Sequence, residues 1–172
     1  MFLWIVIEAL TPLFRDLILV TREPERYRGF PVRTVVDLLP DRGPLTGIFS
    51  GLSASADCTN FCVGCDMPLI QTSLVQYMMN ISGGVDAILP STKRGGTVQI
   101  EPLHAVYDKG CLPVMERQLS QGKKSLYKLV RSLNVRYLSE SEMKHFDPDL
   151  ISFRNINTPE EYQALTVSAS HM

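Results

Sequence analysis

The sequence predicts one α/β domain, a mostly parallel sheet between two layers of helices: a three-layer α/β/α sandwich. Three observations carry this. Short runs such as Leu17-Ile18-Leu19-Val20-Thr21 are apolar without alternation, and read as strands buried on both faces. Such runs alternate with longer stretches at helical spacing, the pattern of a sheet wrapped by helices. The 172 residues, 45% of them hydrophobic, suffice for one core and are too few for two ordinary domains.

The elements follow in order. Leu3, Ile7, Leu10 and Phe14 share one helical face, so a helix is expected over Phe2 to Phe14. Strands are expected over Leu17 to Thr21 and Thr34 to Val36, with a polar loop holding Pro24 and Gly29 between them. Leu38 to Gly43 is rich in turn residues. Leu45 to Ala56 is small and apolar, and reads as a closely packed helix. Asn60 to Cys65 reads as a buried strand ending at Asp66, and Pro68 as the opening of a helix to about Ile81. Asp86 to Pro90 is the next strand, then a loop from Lys93 to Thr97, then a strand over Ile100 to Tyr107. Helices are expected over Leu112 to Ser120 and Leu126 to Leu133, and strands over Val135 to Leu138 and Ile151 to Ile156. Thr158 caps a final helix containing Pro159, Glu160 and Glu161.

Composition excludes several classes. Lys+Arg 17 against Asp+Glu 18 leaves no basic excess for a general polyanion binder, so no nucleic-acid partner is expected. Met1 to Leu10 lacks a basic start and a cleavage site, and Glu8 interrupts it, so it is not read as a signal peptide. No run reaches the roughly 18 apolar residues of a membrane span. Cys 4 is too sparse for a disulfide scaffold. The expectation is a soluble cytoplasmic protein with no membrane partner. The tail 168–172 is given no role.

Ligands of parallel sheets bind beyond the carboxyl ends of the strands. Asp37 and Asp66 both stand at such ends. Either alone reads equally well as a turn former. Together they favour a divalent cation with a phosphate ligand, since Mg²⁺ takes one or two carboxylates and fills its shell with phosphate and water.

Four segments then line up: Val36-Asp37-Leu38-Leu39-Pro40-Asp41-Arg42-Gly43-Pro44-Leu45-Thr46-Gly47, Cys65-Asp66-Met67-Pro68, Glu101-Pro102-Leu103-His104-Ala105-Val106-Tyr107, and Asn155-Ile156-Asn157-Thr158-Pro159-Glu160-Glu161. In this order they resemble the molybdenum cofactor guanylyltransferases, MobA-like members of the nucleotidyltransferase superfamily. The resemblance implies a Rossmann-like fold of the nucleotide-diphospho-sugar transferase type. It implies one nucleotidyltransferase domain over 1–167, and GMP transfer from GTP to molybdopterin with release of pyrophosphate. Asp66 is implied as the catalytic residue and main Mg²⁺ ligand, with Asn157 a second metal contact. Asp37, Gly43, Gly47 and Asp66 are implied around the nucleotide. Glycines there let the backbone approach a base or ribose closely. Asn155 and Asn157 are implied at the substrate phosphates. Molybdoenzymes or their chaperones are the implied receivers of product.

The resemblance departs at the front. The family begins with a strand and a glycine-rich loop of the type Leu-x-Gly-Gly-x-Ser-x-Arg-Met-Gly-x-x-Lys, which wraps the triphosphate. No such segment occurs here, and the sequence opens inside the first helix. The domain is therefore expected to be N-terminally incomplete. If the loop is truly absent, the expectation is weak or no catalysis and poor GTP binding.

Several features have rival readings. Cys58, Cys62 and Cys65 have the spacing of a radical-SAM cluster motif, but Cys62 and Cys65 fall in an apolar strand, and core packing is the expectation. A zinc site lacks a fourth ligand at a usual spacing. Arg117, Lys123, Lys124, Lys128, Arg131 and Arg136 form a basic run without acids. A solvated helix face explains most such runs. The functional reading places Lys123 or Lys124, after Gly122, at the pterin phosphate. His104 reads as a core or rim histidine, with pterin contact as the alternative. Two other functions stay open: a sister nucleotidyltransferase using CTP or another acceptor, and a non-catalytic relative that binds molybdopterin or a partner enzyme.

Overall fold

The computed structural model describes residues 2–37, 43–94, 96–158 and 160–163. The expected turn-rich loop is described only at Gly43, and Gly95, Pro159 and the tail 168–172 lie outside the described residues.

Two strands organise the core: β4 (Ala87–Arg94) and β6 (His104–Asp108). Their side chains alternate between two apolar clusters. Ala87, Leu89, Ala105 and Tyr107 join one, and Ile88 and Val106 join the other. A period of two with both faces buried makes such runs uniformly apolar. The first cluster is covered by α2 (Pro44–Ala54), α4 (Leu112–Ser120) and α5 (Leu126–Val130). The second is covered by α3 (Thr72–Asn80) and α6 (Glu140–Met143). A third cluster joins α1 (Phe2–Leu10), through Val6 and Leu10, to Ile70 and Val75. Helices therefore lie on both faces, as the α/β sandwich requires.

The larger sheet has the order β3 (Thr59–Val63), β6, β4, β5 (Thr97–Ile100), and β7 (Val135–Leu138) also pairs with β4. β6 is antiparallel to both β3 and β4, and β7 is parallel to β4, so β3, β4 and β7 share one direction. β1 (Ile18–Thr21) and β2 (Arg33–Val36) form a separate parallel pair. Pro44 opens α2 in its first turn, where a missing N–H costs nothing. Gly51 lets that helix lie close on β1: a Cβ there would come within 3.3 Å of Val20 Cγ2.

Four expected elements differ. Pro68 does not open a helix; α3 begins at Thr72. Met67, Pro68 and Ile70 are buried, and the Gln71 N–H donates to Ser152 Oγ at 3.0 Å, which holds the chain extended up to the helix. The expected loop from Lys93 to Thr97 is a hairpin: β4 runs to Arg94 and returns as β5. The expected strand over Ile100 to Tyr107 is therefore two strands, parted where Glu101 N donates to Pro90 O and His104 N to Glu101 O. Ile151 to Ile156 joins no ladder; Ile151–Phe153 is a 3-10 turn. Leu150 enters it with φ 51°, and Asp147 accepts from Ile151 N and Ser152 N. Those amides are thereby taken from any sheet.

Candidate active site

The site is built on the end of β3. Gly64 N donates to Leu103 O at 2.9 Å and Met67 N donates to Gly64 O at 3.2 Å, so the chain turns through Cys65 and Asp66. The Asp66 carboxylate folds back over the turn. A Cβ on residue 64 would lie 2.5 Å from Asp66 Oδ1, closer than real Cβ contacts come. Glycine at 64 is what leaves the carboxylate this position. The sequence reading missed it, because the contact exists only in three dimensions.

Asp66 also meets the late segment. Ile156 N donates to Asp66 O at 2.7 Å, which brings Asn155 and Asn157 alongside the turn. That segment is fixed from both sides. Upstream, the buried Asp147 receives Ile151 N at 3.0 Å and Ser152 N at 2.9 Å. Downstream, Glu161 Oε2 accepts from Asn157 N at 2.8 Å and Thr158 N at 3.2 Å, while Glu161 N donates to Thr158 Oγ1. This is a reciprocal capping box at the start of a helical turn over 160–163.

Glu101 is a second residue the sequence reading left without a role. Its Oε1 accepts from Leu103 N at 3.2 Å. Burial pushes its carboxyl above the usual range, the Leu103 N–H pulls it back, and the negative Asp66 adds to the rise. Two carboxylates thus share this end of the sheet. Beyond them lies a cavity of about 720 Å³, lined in part by Lys93, Glu101, Tyr127, Arg154 and Asn155. It brings basic, aromatic and amide residues together with three acidic ones, Glu101, Glu140 and Glu161.

The other sequence candidates fall in different places. Asp37, directly after β2, is bonded to the side chains of α2: Oδ1 accepts from Ser50 Oγ at 2.9 Å and Oδ2 from Thr46 Oγ1 at 3.2 Å. Its carboxylate therefore anchors the helix that carries Gly47, directly after Gly43. A Cβ on Gly43 or Gly47 would meet nothing within 4 Å, so both stand beside open space. Lys123 and Lys124 lie in the turn after α4, where Gly122 takes φ 70°. Lys123 Nζ donates to Gln121 Oε1 at 2.7 Å, and neither lysine lines the cavity beside Asn155.

His104 is fully buried between two rings. Phe61 and Phe153 each meet it edge-on with centroids 5.0 Å away. Burial alone lowers its pKa to about 3. Cys62 packs against the cluster of Ala105, Tyr107 and Cys111, whereas Cys58 and Cys65 are exposed. Burial pushes the Cys62 thiol up to about 12, with Cys111 adding to it.

With this geometry in view, similarity decides the family. Residues 1–137 match the MobA-like NTP transferase domain. The chain belongs to that family. This MobA-like chain is 36% identical over 149 residues to the molybdenum cofactor guanylyltransferase of Desulfosudis oleivorans, covering 86% of this chain and 72% of that one. It is 35% identical over 156 residues to the enzyme of the same name from Syntrophotalea carbinolica, covering 91% and 73%. Among solved structures, molybdopterin-guanine dinucleotide biosynthesis protein A of Archaeoglobus fulgidus superposes with a TM-score of 0.80 at 26% identity, covering 99% of this chain and 86% of that one. The MobA-like chain is thus a nucleotidyltransferase with the α/β sandwich of its relatives. Among the described residues, no helix is long and apolar enough to cross a membrane.

Proposed function

We propose that this chain transfers GMP from GTP to molybdopterin, releasing pyrophosphate and forming molybdopterin guanine dinucleotide. The observation that carries the reading is the Asp66 turn: a carboxylate laid over Gly64 and tied by its own carbonyl to the Asn155–Asn157 segment.

In the transfer, an oxygen of the terminal pterin phosphate forms a bond to the α-phosphorus of GTP. The bond from that phosphorus to the bridging oxygen breaks, and pyrophosphate leaves with the electron pair. The attacking phosphate is already ionised at pH 7, so no general base is needed. Positioning and charge neutralisation are the demands on the protein.

Among the described residues no group of three or more His, Cys, Asp or Glu gathers around one point. A Mg²⁺ ion that shares its shell with phosphates does not need one. The all-oxygen set of Asp66 and Asn157 fits it, and the ion would supply neutralisation of the α- and leaving phosphates. Asp66 holds that end of the site. Asp37 fixes α2, so that Gly43 and Gly47 present bare backbone to the nucleotide. Asn155, Lys93 and Arg154 face the acceptor from the 720 Å³ cavity. Lys123 and Lys124 stand outside its lining and act at longer range on the pterin phosphate.

The test is pyrophosphate release with GTP and with CTP, each with molybdopterin as acceptor. Release with GTP that Asp66→Asn abolishes supports the reading. Release with CTP alone assigns a sister cytidylyl transfer. Pterin binding with no release from either donor assigns a non-catalytic relative. Such an enzyme would hand its product to molybdoenzymes or their chaperones.

A further inference from the structure

Asp147 is a carboxylate set into the core, 1% exposed. Among the described residues no ion pair reaches it. Its two oxygens go to two backbone amides: Oδ1 accepts from Ile151 N at 3.0 Å and Oδ2 from Ser152 N at 2.9 Å. Its own carbonyl accepts from Leu150 N at 3.0 Å. Burying a carboxylate without a cation is costly, and only bonds to other buried polar groups offset it. What these bonds hold is a turn that would not hold itself. Leu150 enters it with φ 51° and ψ 40°, the left-handed region, which a residue with a Cβ adopts only at a cost. Among the described residues no other non-glycine residue takes a positive φ.

This turn is the root of the segment that meets Asp66. Ser152 is fully buried, and its Oγ accepts from Gln71 N at 3.0 Å. Phe153 sets its ring edge-on to His104 of β6, with centroids 5.0 Å apart. Arg154 N donates back to Ile151 O at 3.1 Å, and Arg154 is extended, with φ −88° and ψ 121°. Ile156 is buried and its N–H reaches Asp66 O at 2.7 Å. Asn155 and Asn157 flank it and are exposed, the alternation of an extended chain. Only Phe153 and Arg154 lie between Ser152 and Asn155. A shift of the turn therefore passes along a short stretch to both asparagines.

We infer that Asp147 is a positioning residue for the Asp66 site. By holding Leu150 left-handed and the 151–153 turn closed, it sets where Asn155 and Asn157 stand beside Asp66. It acts through them and touches no substrate. The inference rests on the reading of Asp66 and the two asparagines as the metal and phosphate end. The turn calls for an aspartate because both oxygens must accept. Asparagine offers one acceptor oxygen and an NH2 group, so one of the two amides would face a donor.

The test compares the whole chain with Asp147→Asn, Asp147→Ser and Tyr77→Phe. Serine keeps a hydroxyl that accepts from one amide, and it serves if the asparagine variant does not fold. Tyr77→Phe is the control for looser packing nearby. It deletes the bond from Tyr77 Oη to Glu142 Oε1 and keeps the ring stacked on Phe146, the neighbour of Asp147. Hydrogen exchange is read at the Ile156 amide against those of Ile88 and Val106 in the core strands. Binding of Mn²⁺, which shares the preference of Mg²⁺ for oxygen ligands, is read by electron spin resonance. In both Asp147 variants the Ile156 amide is expected to exchange about 10-fold faster relative to Ile88 and Val106, and the Kd for Mn²⁺ to rise about 10-fold. Tyr77→Phe is expected to change neither. Ile156 exchange that moves only in step with Ile88 and Val106 overturns the inference, since Asp147 would then serve stability alone. So does a Mn²⁺ Kd equal to the parent's in a variant whose Ile156 amide has come free, or a selective loss in Tyr77→Phe as large as in Asp147→Asn. Asp66→Asn separates the two readings. If it and the parent bind Mn²⁺ alike, the metal end is misassigned, and the Ile156 exchange alone decides whether Asp147 sets the segment.

Discussion

Replacing His104 by leucine separates two costs that its surroundings impose. The ring is 0% exposed, and neither nitrogen has a hydrogen-bond partner. Phe61 and Phe153 occupy its flanks and offer no acceptor. Each buried unpaired polar atom costs about 1–3 kcal/mol. Leucine removes both and keeps most of the apolar contact. His104→Leu is therefore expected to equal or exceed the parent in stability at pH 7, by about 1 kcal/mol. The second cost depends on pH. In the unfolded chain the ring takes up a proton near the ordinary value of 6.5; in the folded chain it does so only near 3. Above 6.5 both states are neutral and nothing is lost. Between 6.5 and 3 the unfolded state binds the proton and the native state does not, so stability falls as pH falls. At pH 5 the loss is about one and a half pH units' worth, or about 2 kcal/mol. Urea unfolding of both proteins at pH 7 and pH 5 isolates it, because the carboxylates titrate alike in each. The variant's advantage should widen by about 2 kcal/mol at the lower pH. A constant gap would refute the reasoning, and so would a variant clearly less stable at pH 7.

Gly64→Ala is expected to push the Asp66 carboxylate off its position, lowering kcat by about 100-fold while Tm moves little; an unchanged kcat in a steady-state assay would remove Gly64 from the site's design. Asp37→Ala takes the carboxylate acceptor from the buried hydroxyls of Ser50 and Thr46 in α2, and is expected to cost about 1–3 kcal/mol in urea unfolding. The same change should raise KM for the nucleotide more than KM for the pterin, and equal effects on both would argue against it. Cys62 and Cys111, each with a thiol pushed up to about 12 chiefly by burial, are expected to resist iodoacetamide at pH 7.5 while exposed Cys58 is alkylated, as read by peptide mass.

The sequence carried the layered fold because burial on both faces writes itself into composition. Ala87-Ile88-Leu89-Pro90 and Ala105-Val106-Tyr107 have no polar side to hide, and short uniform runs are what such strands look like. The β5 strand was illegible for the opposite reason. Thr97, Val98 and Gln99 are exposed, so no hydrophobic period marks them, and among the described residues their ladder is with β4. Ile151 to Ile156 misled because its apolar residues serve packing without a ladder; the caps from Asp147 set its shape, and capping is a contact between side chain and backbone that periodicity does not register. At the site, Asp66 and the two asparagines stood out as motif residues. Gly64 and Glu101 did not, since one matters through the space it leaves and the other through a neighbour brought up by the fold.

The clasp between Gln71 and Ser152 joins residues 81 positions apart. Closing a loop of that length costs entropy that no local contact repays, so such links form late on a folding route. Asp66 and its turn directly follow β3 and need only the shorter closure between Gly64 and Leu103. Asn155 and Asn157 reach it only when the clasp and the Ile156–Asp66 bond have both closed. A nascent or half-folded chain therefore carries the acid without its amide partners. On the function proposed above, the acid alone does not complete the site, so nucleotide transfer is expected to arrive together with that closure and not before it.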